Sequence, residues 1–138
     1  MVIIGIMAVV LLPKWSGGSG FDERGFRDRV VTALRYAQKS AIAARRTVCA
    51  SFSAAPATVT VSISNVNGAA NCTGGSALAG PDTRPLVVTA SGNVSFAALP
   101  ADVVFDAAGR PAAGAVISVS GLPASLAITV EAETGYVH

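Results

Sequence analysis

Few of the 138 residues carry groups that do covalent or metal chemistry. There are two cysteines, Cys49 and Cys72, and the single histidine is His138. Zinc is held by closely spaced Cys and His pairs, and no C-x-x-C is present, so no metal site is expected. A nucleophilic cysteine needs a neighbouring base, and the sequence around Cys49 and Cys72 supplies none. In an oxidising compartment the two would form a disulfide closing a loop of about two dozen residues, stabilising by about 3 kcal/mol. Two buried free thiols are the alternative. Glu131 and Glu133 stand two apart on an expected strand, so they share a face as a catalytic carboxylate pair would. Charges that protect an edge strand from aggregation have the same spacing. Asp102 and Asp106 flank an expected strand and read as turn residues. Neither a phosphate loop nor a nucleophile elbow occurs. The chain is therefore expected not to be an enzyme, and to use no cofactor and no small-molecule substrate.

The second group of interest is basic. Up to Arg46 the chain carries eight Lys or Arg against three Asp or Glu, a net of +5; from Thr47 onward the balance is −3. Arg24, Arg27, Arg29, Arg35, Arg45 and Arg46 form a set that phosphate groups, DNA included, would contact in a salt-dependent way. Packing between oppositely charged parts of neighbouring subunits is the plainer use of the same asymmetry.

The elements that position these residues follow from periodicity. Residues 1–12 (MVIIGIMAVVLL) are an unbroken apolar run ended by Pro13 and Lys14. A bilayer span needs about 20 residues, so the run is a buried helix, an interfacial segment or, the reading favoured by its abrupt apolar start, the end of a longer apolar helix, with Lys14 and Trp15 then at a membrane interface. Residues 16–20 (SGGSG) read as a flexible break. From Phe21 to Arg46 apolar residues recur at three- and four-residue steps: Phe26, Val30, Ala33, Leu34, Ala37, Ala41 and Ala44, with Val31 and Ile42 widening the stripe. Ser19 or Asp22 would cap this helix, with Arg45 and Arg46 at its negative end.

After Thr47 the period becomes two. Strands are expected at Val48–Ser53, Thr58–Ser64, Leu86–Ala90, Val94–Ala97, Val103–Asp106, Ala115–Ser120 and Leu126–Ala132. Between the second and third lies a long Gly/Asn/Ser-rich loop, Asn65–Pro81, which a Cys49–Cys72 bond would pin. Asn71 and Asn93 open two N-x-[ST] sequons, better read as turn chemistry. The fold class is α+β: an apolar segment (1–15), a break (16–20) and a head (21–138) made of helix 21–46 packed on an antiparallel β-rich region, 47–138.

This order of apolar run, Pro, amphipathic helix, Cys-bearing strand and all-β remainder resembles the type IV pilin superfamily. Within it the chain is similar to minor pilins and pseudopilins of the FimT/GspH kind. The stretch FDERGFRDRVVTALRYAQKSAIAARRTVCA and the ending EAETGYVH resemble minor pilins of mannose-sensitive haemagglutinin-type (MSHA) pili. The stretch FDAAGRP, Phe105–Pro111, resembles a strand–turn of FimT/GspH heads. The resemblance implies a structural subunit, partnered by other pilins and the assembly machinery. It would be anchored in the bacterial inner membrane by its apolar helix, with a periplasmic head that reaches the pilus or cell surface. Family members begin with a basic leader ending in Gly, cleaved and then methylated at the new terminus, and carry a Glu in the apolar helix. Alignment on Pro13 places these, and about nine residues of helix, before Met1. The alternative is a DNA-binding minor pilin of the FimT kind, whose C-terminal Gly-Arg-any-Arg pattern is replaced here by Thr134-Gly135-Tyr136-Val137-His138.

Overall fold

The computed structural model describes residues 19–54, 56–91 and 93–138. The apolar segment 1–15 and the start of the break, 16–18, lie outside the described residues. The described chain is α+β, one helix packed on antiparallel sheets. Helix α1 runs Ser19–Ala44. It therefore starts two residues earlier than the period suggested, taking Ser19 and Gly20 from the expected break. A first turn has no intrahelical bonds to its N–H groups and tolerates such residues, and Asp22 there complements the dipole.

The helix also ends earlier, at Ala44 rather than Arg46. Arg45 adopts a left-handed backbone (φ 55°), and the Arg46 N–H donates back to the Ala41 carbonyl at 3.2 Å. That is the closing geometry of a C-terminal cap, with arginine where glycine is usual. Consequently Ala44, expected in the apolar stripe, is exposed, and Ile42 is 48% exposed. The rest of the stripe is buried, from Phe26 to Ala41 and including Val31.

The main sheet is built from β1 (Val48–Ala54), β2 (Ala57–Ile63), β3 (Ser76–Ala77), β4 (Val87–Thr89) and β5 (Val103–Phe105). β1 lies between β2 and β5, all antiparallel, with Cys49 opposite Ser62 on one side and Val104 on the other. The far side of β2 is shared: β4 pairs with Thr58–Thr60, and β3 with Ser62 and Ile63. In β2 the alternation is direct: Val59 and Val61 are fully buried while Thr60 is exposed. A second, smaller sheet holds β6 (Ala115–Ile117) and β7 (Ile128–Val130), with Val137 bridged to Val130 at its edge. Ile117, Ile128, Val130 and Val137 of that sheet join one core with the helix and the main sheet.

Three expectations about strands are corrected. Val94–Ala97 is not a strand but a single bridge, Phe96 to Val119, because the chain leaves the Ser91 turn and bends again at Ala97. Leu126–Ala132 shrinks to β7, since Ala124–Leu126 forms a 3₁₀ turn and Glu131 opens a turn closed by the Gly135 N–H. The Asn65–Pro81 loop contains the two-residue strand β3, too short to leave a period in the sequence.

Candidate functional site

The helix presents two kinds of surface besides its core face, and the arginines divide between them. Arg27 donates through Nε to the Leu126 carbonyl at 3.1 Å and through Nη1 to Asp28 at 3.2 Å. Arg35 donates twice to the Val137 carbonyl, from Nε at 3.0 Å and Nη2 at 2.9 Å. Arg46 donates to the Asn67 side chain at 3.2 Å. These three fasten the helix region to distant parts of the chain. Arg24, Arg29 and Arg45 are exposed and make no ion pair among the described residues. The guanidinium of Arg29 sits 5.9 Å from the centroid of the Phe26 ring, a cation–π contact. Of the six arginines proposed from sequence, three are thus engaged in bonds within the molecule.

Gln38, which carried no expectation, completes the fastening. Its Nε2 donates to the Gly109 carbonyl at 3.1 Å and to the Thr134 carbonyl at 2.8 Å. The two turns meet so closely that a Cβ on Gly135 (φ 73°) would overlap the Gly109 carbonyl oxygen and crowd the Gln38 amide. The only sequence signal was the pair of turns Ala108-Gly109 and Thr134-Gly135. Gln38→Ala is expected to cost about 1–2 kcal/mol, because two carbonyls lose their donor. Urea unfolding of the variant checks this, and a cost near zero would show that water replaces the amide without penalty.

Cys49 and Cys72 are joined by a disulfide across 23 positions. It ties the Asn65–Pro81 loop to β1, and the Thr47 hydroxyl adds a bond to the Ala69 carbonyl. Within that loop the Asn71 carboxamide oxygen accepts the Thr73 N–H at 3.0 Å, the turn chemistry expected of it.

The carboxylates do not gather as a pair. β7 ends at Val130, so Glu131 and Glu133 lie in a turn and not on one strand face. Glu131 instead meets His138 Nε2 at 2.8 Å, and the His138 ring stacks on Tyr136 at 5.1 Å. His138 thus has two partners, Glu131 and Tyr136. Asp106 accepts the N–H groups of Ala108 and Arg110, each at 2.9 Å, as a turn residue does. Among the described residues no group of three or more His, Cys, Asp or Glu could hold a metal ion. None of the described helices is long and apolar enough to cross a membrane.

A concave surface lies between α1 and β4. It is an open groove of about 360 Å³, lined from the helix by Asp28, Arg29, Ala33 and Tyr36 and across from it by Leu86 and the β4 residues Val87 and Val88. The hydroxyl of Tyr36, one of the lining residues, donates to the Ala79 carbonyl at 3.0 Å. No family model, no curated protein and no solved structure matches this chain.

Proposed function

We propose that this chain is a minor pilin or pseudopilin, a structural subunit that assembles into an MSHA-like type IV pilus or a type II secretion pseudopilus. The observation that carries this reading is the division of labour in residues 19–138. A long helix buries one face on an antiparallel sheet and leaves a charged face outside, and a disulfide fixes the longest loop of the head. Such a body has the parts of a subunit that stacks through its helix and shows its loops. The apolar residues 1–12 are the proposed anchor in the inner membrane, from which a subunit transfers into the apolar core of a filament. The head then lies in the periplasm, where a disulfide persists. Its partners are other pilin subunits and the assembly machinery.

DNA uptake is the second reading, and the arginine geometry speaks against it. Arg27, Arg35 and Arg46 are engaged in bonds within the molecule, which leaves Arg24, Arg29 and Arg45 for phosphates. Filter binding of the purified chain to duplex DNA at two salt concentrations is expected to give no salt-sensitive retention. Retention that falls steeply with salt would move the assignment to DNA binding.

The assembly reading is tested in bacteria expressing the chain with its native partners. The head should appear in filaments sheared from the surface, or cross-linked to other pilins in the membrane fraction. Recovery solely as a soluble cytoplasmic protein with two free thiols would refute it.

A further inference from the structure

Beside the helix the main sheet ends in a strand edge, β4, that no other strand of the described residues covers. In the β2–β4 ladder Val88 lies opposite Val59, flanked by bonds from the Val61 N–H to the Leu86 carbonyl and from the Ala90 N–H to the Ala57 carbonyl. Antiparallel ladders alternate, so the N–H and C=O groups of Val87 and Thr89 point away from β2. Neither residue has a backbone partner on that outer side among the described residues. The Val87 side chain is 47% exposed on the same edge. Directly alongside runs the 360 Å³ groove, whose walls are mostly aliphatic or aromatic. Asp28 and Arg29 both line its helix wall; Asp28 is paired with Arg27 at 3.2 Å, whereas Arg29 has no carboxylate partner among the described residues, which leaves this wall with a net positive charge.

We propose that this groove receives an extended segment of another protein as an added strand on β4, with aliphatic side chains in the groove and one carboxylate against Arg29. Each feature selects part of that occupant. An extended chain supplies the donors and acceptors that Val87 and Thr89 leave open, and its alternate side chains drop between strand and helix. The apolar walls reward aliphatic side chains, and an uncompensated guanidinium at the wall favours Asp or Glu over Lys. The edge strand that a second copy would present, Val87, Val88 and Thr89, offers no carboxylate of its own. The site does not depend on the assembly proposed above, and its failure would leave that reading standing.

The test pans a phage-displayed library of random heptapeptides against the full chain with its disulfide intact. The best binder is then synthesised and titrated by fluorescence anisotropy. Enriched peptides are expected to alternate aliphatic residues and to carry one Asp or Glu. Arg29→Glu should weaken binding about tenfold or more, and a peptide with Lys in place of the acid should regain affinity on that variant. Val87→Pro removes an outward N–H while keeping the Val88 bonds to β2, and should weaken binding by a similar factor. Should Val87→Pro fail to fold by circular dichroism, the Arg29 charge swap decides alone. The proposal is overturned by a library without enrichment, or by a peptide that binds the folded variants as tightly as the parent. A concentration-dependent dimer that Val87→Pro dissolves would also overturn it, by assigning the edge to a second copy.

Discussion

Phe26→Ala is expected to destabilise the fold by about 3–5 kcal/mol, the range for deleting a fully buried aromatic ring. Phe26 is 0% exposed and anchors the N-terminal half of α1 on the sheet. Its ring packs 5.4 Å from that of Phe96, which in turn meets Phe52 edge-on at 5.6 Å. Phe96 belongs to the irregular segment bridged to Val119, and Phe52 to β1, so one ring links the helix, the main sheet and the chain between the sheets. Truncation would leave a cavity where these three meet, and it would also remove the surface beneath Arg29. Equilibrium urea unfolding measures the cost, and a value under about 1 kcal/mol would contradict this account of helix docking. Phe26→Leu, which keeps most of the volume, should retain the greater part of the stability.

Replacing both Cys49 and Cys72 by Ala is expected to cost about 3 kcal/mol, from the chain entropy released by opening a loop of this length. Cys49 is buried on β1 between β2 and β5, whereas Cys72 belongs to a loop that is otherwise tied to the body through side-chain bonds such as Thr47 to Ala69 and Arg46 to Asn67. For a domain of this size the melting temperature should fall by about 10 °C. The loss should be concentrated in Asn65–Gly75, whose amides should exchange faster, while helix amides near Leu34 keep their protection relative to global stability. Uniform loss of protection with no local excess at the loop would mean that the bond acts on the native sheet itself.

The parts of this fold that were legible in sequence are those whose cause is local. The helix announced itself because Phe26, Val30, Leu34, Ala37 and Ala41 repeat on a helical period, and the structure buries all five. β1 and β2 were legible through their period of two, and a disulfide between Cys49 and Cys72 was one of two open readings that the structure resolves. What escaped depends on meetings between distant residues. Arg27 and Arg35 looked like a free basic face, yet their partners are carbonyls 99 and 102 positions away. Gln38 is an ordinary helix residue until Gly109 and Thr134 arrive beside it. Glu131 and Glu133 seemed paired because the strand was expected to run on; the turn closed by Gly135 separates them and hands Glu131 to His138. The groove is equally invisible in sequence, since its two walls lie more than 40 residues apart.

The proposed role as a subunit turns on what touches the outer face of α1. Lys39 is exposed on that face. A photo-cross-linking amino acid placed there, in bacteria making the chain with its native partners, would report the contact directly. The subunit reading predicts a discrete cross-linked product in the membrane or filament fraction that contains a second pilin-like chain, from cells in which Cys49 and Cys72 are oxidised. Cross-links confined to cytoplasmic proteins, with both cysteines reduced, would contradict it.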